Sequence, residues 1–399
     1  MIDFAIIGIG NYGAVHLDVA RRVTDAGLAR LTAVADIKLS AYPEVVSELR
    51  GRGVACYQTH REMLDRHPEL ALVTLPLPIH LHAPLTIECL ERGLHVLVEK
   101  PPAPTLADAQ RMAEAARRTG RLCGVGFQQS TSPLLHAMCE IVAAGKLGAI
   151  RELAALSLGK RYDNYYARAA WSGKISLHGA IVRDGTLNNP FAHTAQSLLT
   201  VAGAAAGVPA RSVRMERELY AGHDIETEDT CALRAELDSG AALHFITSVC
   251  AHEAFDQQFR IVGTAGEITF DNQRDPQTQV RYRDGAVEAL PPLVVGEEGT
   301  AVAVLRNFID VLEGRAPALA CPIDATLAFA ELVEQFFTGA SVVHLHGTPH
   351  VTRVELDDGG RREVATYLDG IEGYARAAYA AGKLFSEVGA PWARKDGDR

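Results

Sequence analysis

A doubly wound, parallel α/β domain followed by an α+β domain with a large, mainly antiparallel sheet is the architecture this sequence predicts. Three observations predict it. Over residues 2–126, short and almost wholly apolar runs alternate with amphipathic helical stretches, the signature of a parallel sheet covered on both faces. The first run ends in a glycine-rich turn that leads directly into a helix. From about residue 150 the strands lengthen, alternate apolar with polar residues and are joined by tight turns, as in an antiparallel sheet.

The elements follow in order. "FAIIGIG" is the first strand with its turn, "HLDVARRVTDAG" the first helix, and "LTAVAD" a second strand ending at Asp36. "LALVTLPLP", "HVLVEKP" and "LCGVGF" supply three more strands, with "TLADAQRMAEAARRTG" as an amphipathic helix among them. Residues 132–147 form another helix. "TCALRAELDSGAALHFITSVC" is a hairpin turning at Asp238-Ser239-Gly240, and "FRIVGTAGEITFDN" a second turning near Ala265-Gly266. Helices return at about 299–315 and 323–338, a strand pair falls near 341–366, and a last helix spans 369–388. "RKDGDR" reads as a frayed tail. One boundary divides residues 1–127 from 128–399, with an extension of the second domain after about 340.

Composition removes several classes of function. The 399 residues are 48% hydrophobic and 22% charged, ordinary for a soluble globular chain with a substantial core. A formal charge of −10 excludes the basic face that nucleic acid requires and makes an anionic membrane a poor partner. No apolar run reaches the roughly 18 residues of a membrane span. A chain opening directly in a strand predicts no secretory leader. Seven scattered cysteines without a CxxC predict small core residues of a reduced, cytoplasmic protein.

The chemistry starts at "AIIGIGNYGAVH", a strand, a GxGxxG turn (Gly8, Gly10, Gly13, with Asn11 and Tyr12 between) and a helix. Glycines there permit a tight turn and close approach of a pyrophosphate to the helix N-terminus, the Rossmann arrangement. Asp36 at the end of the second strand suits a ribose diol and repels a 2′-phosphate. The cofactor expected is NAD, with Lys38 close enough to leave NADP open.

"LPIHLHAPLTIECLERGLHVLVEKPPAPTLADA" carries a resemblance. The turn at Pro78, His82, a helix and a strand ending Glu99-Lys100-Pro101 resemble the Gfo/Idh/MocA oxidoreductases, most strongly over residues 2–130. The resemblance implies that Lys100 is the catalytic or substrate-orienting lysine beside the nicotinamide and Glu99 its loop-fixing partner. It also places Pro78 and His82 at the cofactor. A lysine at the C-terminal end of a parallel strand lies where such sheets bind ligands, which is the residue-level reason for the same assignment.

In the family's sugar dehydrogenases, an aspartate followed four residues later by a histidine reaches the same site. "GTLNNPFAH" supplies His193 as a second catalytic candidate and puts Asn189 where the aspartate belongs. An amide donates and accepts hydrogen bonds but takes no proton. Asn189 is therefore read as a substrate-orienting residue or a helix cap followed by Pro190, and Asp184 as a candidate substitute carboxylate. "GKRYDNYYARAAWSG" resembles a segment lining the family's substrate cleft, with Trp171-Ser172-Gly173 lacking the usual central arginine. Arg161, Tyr166 and Trp171 have the guanidinium and aromatic faces that suit sugar rings.

His344, His346 and His350, like His80 and His82, lack a carboxylate or cysteine at metal-ligand spacing, so no metal site is assigned. "RELYAGHDIETED" reads as a solvated acidic face or loop. The leading expectation is an NAD(P)-dependent oxidoreductase acting on a secondary alcohol of a carbohydrate-like small molecule. An NAD-retaining glycoside-cleaving enzyme, working by oxidation, elimination and reduction, is the alternative raised by Asn189. A non-catalytic cofactor-binding regulator is the third. The long hairpins and the family's pairing habit imply a homodimer or homotetramer through the second-domain sheet, because "AALHFITSVC" would otherwise leave apolar residues on an open face.

Overall fold

A computed structural model describes residues 1–252, 256–272, 275–293, 299–358 and 361–394 of the chain. Tail residues 395–399 lie outside the described residues. The chain divides into two compact units, Met1–Ser132 with Val294–Ala330, and Pro133–Leu293 with Glu331–Arg399. The boundary expected at 127/128 lies close to the first of these divisions, and residues 294–330 join the first unit as well.

The first unit contains strands β1 (Ile2–Ile7), β2 (Ala29–Ala35), β3 (Ala55–Tyr57), β4 (Leu72–Leu75), β5 (His95–Val98) and β6 (Cys123–Val125). Helices α1 (Gly13–Asp25), α2 (Pro43–Gly51), α3 (His60–Arg66), α4 (Ile79–Glu91) and α5 (Leu106–Thr119) connect them. All strand pairs are parallel, in the order β3-β2-β1-β4-β5-β6. The order reverses between β1 and β4, which opens a ligand crevice at the carboxyl ends of the strands. α5 shows why its sequence stops and starts where it does. Thr105 accepts from the Asp108 N–H at 3.1 Å, and Gly120 closes the helix at φ 66°.

The second unit opens with α6 (Pro133–Ala143), β7 (Ile150–Leu158), α7 (Asp163–Ala167), the short pair β8 (Ser176–Leu177) and β9 (Ala180–Ile181), and α8 (Ala192–Ala202). Strands β10 (Ser212–Ala221), β11 (Thr230–Leu237), β12 (Ala242–Ser248), β13 (Asp256–Gly263), β14 (Gly266–Asp271), β15 (Asp275–Tyr282) and β16 (Val287–Ala289) follow. The expected hairpins are β11–β12 and β13–β14, both antiparallel.

Helix α9 (Gly299–Leu312) returns to the first unit, where Val302, Leu305, Phe308 and Ile309 join Phe4, Ile6, Leu17 and Leu97 in one core. α10 (Leu327–Phe337), β17 (Val342–His344), β18 (Val351–Asp358), β19 (Arg361–Leu368) and α11 (Ile371–Ala381) complete the chain. The main sheet of the second unit has nine strands, β16-β15-β14-β13-β7-β12-β11-β10-β17, with the β7–β12 and β10–β17 pairs parallel and the rest antiparallel. The strand pair expected near 341–366 is β18–β19, while β17 joins the main sheet.

One expectation fails here for a clear physical reason. Residues Leu243 to Ser248 are all buried, so β12 has no open apolar face. Ile246, Leu156 and Leu158 pack with Ile371, Ala375, Ala378, Phe385 and Trp392 of the chain's own extension. The argument for pairing copies through an uncovered β12 therefore lapses.

Candidate active site

At the end of β1 the chain turns through Gly8 at φ 96° and Asn11 at φ 51°. A Cβ on Gly13 would collide with the Gly8 carbonyl, so the third glycine is required by the closeness of the turn to the helix. No acidic side chain occupies the first turn of α1, so no carboxylate offsets the positive end of its dipole, while the Gly13, Ala14 and Val15 N–H groups turn back to the Gly10, Asn11 and Tyr12 carbonyls. The Asp36 carboxylate accepts from Ile9 N–H at 2.8 Å and Lys38 N–H at 2.7 Å, one bond on each oxygen. Each oxygen retains a second lone pair, so Asp36 both holds the glycine turn and can accept from a ribose hydroxyl.

The loops after β4 and β5 are tied together by His82. Its Nδ1 lies 2.8 Å from the Pro101 carbonyl oxygen and its Nε2 2.8 Å from that of Leu77, next to Pro78. Burial pushes this imidazole below its ordinary value, against the pull of the two carbonyls. His82 is a structural clasp between the two loops. Glu99 is buried and Lys100 half-buried, and the Lys100–Pro101 bond is cis. Glu99 Oε2 accepts from Lys100 N–H at 3.1 Å, while Oε1 meets His16 Nε2 at 2.9 Å. His16 Nδ1 lies 3.2 Å from Thr74 Oγ1, and Tyr12 rests edge-on against the His16 ring. Thus α1, β4 and the Glu99-Lys100 loop meet at one histidine. Sequence reasoning missed His16, whose partner lies 83 positions away. Its only local signal is its place three residues after Gly13.

In the second unit, Asp184 organises the predicted substrate residues. Its Oδ2 accepts from Gly173 N–H at 2.9 Å and its Oδ1 from Asn189 Nδ2 at 2.6 Å. The loop of Trp171, Ser172 and Gly173 and the turn before α8 are thereby joined through a buried carboxylate. Asn189 does not cap α8: the helix starts at Ala192, two residues after Pro190, and Phe191 stands at its N-cap without a side-chain cap bond. His193 is the second residue of α8 and half-buried. Asn189 and His193 are therefore not on one regular helical turn, because residues 186–191 form an irregular turn closed by Asn189 N–H to Gly185 O and Phe191 N–H to Thr186 O.

Beneath that turn sits Glu228. A Cβ on Gly185 would collide with its carboxylate, which accepts from Thr227 Oγ1 at 2.7 Å and Leu187 N–H at 3.4 Å. Burial pushes this carboxyl up to about 7. "RELYAGHDIETED" is thus not a solvated face: Glu218, His223, Glu228 and Asp229 in it are all buried. His223 Nδ1 bonds Asp229 Oδ2 at 2.7 Å and lies 3.5 Å from Cys250 Sγ. These three side chains could group around a cation, but Asp229 already accepts from the Gly222 and His223 N–H groups, His223 Nδ1 and Thr230 Oγ1. Burial, with the Asp229 charge, holds the Cys250 thiol well above its ordinary value. The cluster is a saturated hydrogen-bond network on which the adjacent segment rests: His223 Nε2 lies 3.2 Å from the Arg161 carbonyl oxygen, and the Tyr166 and His223 rings are 4.9 Å apart.

A six-stranded sheet of this order, with a glycine turn, an acidic second-strand end and a lysine beyond the fifth strand, defines a dinucleotide-dependent enzyme. Comparison with known proteins specifies it. Residues 2–127 match the family described as oxidoreductase family, NAD-binding Rossmann fold, and residues 135–269 match the GFO/IDH/MocA C-terminal domain. The chain belongs to the Gfo/Idh/MocA oxidoreductases, and its first unit is an NAD-binding Rossmann fold. It is 24% identical over 330 residues to myo-inositol 2-dehydrogenase of Thermotoga maritima, spanning 75% of this chain and 92% of the relative. It is 25% identical over 346 residues to an NAD(+)-dependent scyllo-inositol 2-dehydrogenase of Bacillus subtilis, spanning 81% and 90%. Among solved structures, levoglucosan dehydrogenase in complex with NADH superimposes with a TM-score of 0.69 at 20% identity, covering 85% of this chain and 96% of that one. The WlbA dehydrogenase of Bordetella pertussis, in complex with NADH and UDP-GlcNAcA, gives 0.67 at 20%, covering 85% and 97%. No described helix is long and apolar enough to cross a membrane.

Proposed function

We propose that the protein is an NAD-dependent dehydrogenase acting on a secondary alcohol of a sugar, polyol or sugar derivative. Lys100 and His193 handle the hydroxyl proton, and Asn189, Asp184, Trp171, Tyr166 and Arg161 hold the substrate. The glycine turn, the positive dipole end of α1 and the spare lone pairs of Asp36 suit NAD, with Asn11, Tyr12, Pro78, His82 and Glu99 around them. NAD supplies the hydride acceptor. Glu99 fixes the main chain at Lys100, and in this reading the Lys100 side chain orients a hydroxyl or exchanges its proton. Asn189 donates an N–H to Asp184, which fixes the orientation of its amide.

The observation that carries the reading is the Asp184–Asn189 bond in a chain of this family. The carboxylate that residue 189 lacks stands 2.6 Å away on Asp184. The test is a screen of inositols, aldoses, anhydrosugars and nucleotide sugars with added NAD, read at the nicotinamide absorbance. Lys100→Met and His193→Ala should each lower kcat by on the order of 10²–10⁴ while NADH affinity changes little. Full turnover in both variants would overturn the reading, and turnover without net NAD reduction would select the cleaving enzyme.

A further inference from the structure

Residues 158–193 carry five lysine or arginine side chains and only two carboxylates, Asp163 and Asp184. Neither carboxylate forms an ion pair with Arg161 or Arg168. Asp163 accepts from Arg353 and from Thr366 Oγ1, both in the β18–β19 hairpin. Asp184 is committed to Gly173 and Asn189. Lys174 and Arg183 find carboxylates elsewhere, on Glu226 and Glu334. Among the described residues, Arg161 and Arg168 have no acidic partner.

Both instead stack on one ring. The Arg161 guanidinium carbon lies 3.7 Å and that of Arg168 3.4 Å from the centre of Tyr165. Both cations are thus brought to the one aromatic ring, whose π-electrons attract each of them. Arg168 is further held by its bond to the Tyr165 carbonyl at 2.8 Å and lies 5.1 Å from the Trp171 ring. The Arg161 main chain is fixed by Val249 and His223. The protein has thus built, and braced from three sides, two half-buried cations that repel each other and lack a carboxylate partner among the described residues.

We infer that the substrate carries an anionic group, a carboxylate or a phosphate, held by Arg161 and Arg168 at Tyr165. This rests on the reading that this segment binds the sugar. Guanidinium forks match both anions and remain charged at any working pH, which makes them selective for charge without requiring one geometry.

The experiment is calorimetric titration of the full-length, NADH-loaded protein with D-glucuronate, D-glucose 6-phosphate, D-glucose and myo-inositol. One anionic sugar should bind at least tenfold more tightly than glucose, the stronger of the two identifying carboxylate or phosphate, and added salt should erode the difference. Arg161→Gln and Arg168→Gln should each reduce the preference several-fold, with NADH affinity as the control for folding. Equal affinity for charged and neutral sugars, binding of neither, or a preference that survives both substitutions overturns the inference. Turnover of a neutral polyol that falls in His193→Ala but ignores both arginine substitutions would leave the dehydrogenase reading standing without it. Anion binding lost in the arginine variants, together with His193→Ala and Lys100→Met proteins that turn over normally, would do the reverse.

Discussion

Glu228 is the titratable group whose position most directly affects the turn before α8, because the absent side chain of Gly185 makes room for it. Its folded-state value of about 7 stands above the roughly 4.3 of an exposed glutamate. Below about pH 4 the carboxyl is protonated in both states and burial carries no charge penalty. As pH rises through about 7 the buried group must ionise, and stability is lost, on the order of 3 kcal/mol in full. Glu228→Gln keeps an acceptor on one side only, for Thr227 or for Leu187 and Thr186, but has no proton to lose. Melting curves of the two proteins from pH 5 to 9 should therefore diverge, the parent losing stability relative to the variant as pH rises. Parallel curves would mean that Glu228 is not the buried acid. Local sequence revealed the glycine turn, Asp36, Glu99 and Lys100, because each is set by its own strand end. Glu228 and His16 were not legible, since what buries them arrives from 41 and 83 positions away.

At the scale of elements, the parallel strands and both main hairpins were legible because periodicity of two and turn residues are local properties. β3 was not, being three residues long, and neither was the destination of α9. An amphipathic stretch declares that one face will be buried but not against what. α9 buries Phe308 in the core of the first unit, where the lack of a Cβ at Gly124 lets its ring approach. Phe308→Ala should cost about 3–5 kcal/mol, as for a buried aromatic truncated to alanine. Urea titration followed by loss of bound-NADH fluorescence reads the first unit specifically, and its midpoint should fall in the variant. An unmoved midpoint would remove α9 from the cofactor-binding fold.

At the scale of the molecule, the extension decides what the nine-stranded sheet presents to solvent. Nothing in "AALHFITSVC" says whether its apolar face will meet another copy or the chain's own C-terminal residues. That choice lies in residues 371–392, where α11, Phe385 and Trp392 cover Leu156, Leu158 and Ile246. Trp392 is the keystone of that cover: it meets Tyr220 edge-on and Phe385 at a tilt, and donates from Nε1 to the Asp369 carbonyl at 3.2 Å. Removing the ring in Trp392→Ala should lower stability by about 3–5 kcal/mol and loosen the helix from the sheet. The uncovered strands would then offer a contiguous apolar patch of the kind that drives association. Light scattering at matched concentrations should show larger, concentration-dependent species in the variant than in the parent, with circular dichroism confirming that the variant is folded. Identical mass distributions for the two folded proteins would mean that the extension is not what keeps this face from pairing, and the reason for its burial would have to be sought in stability alone.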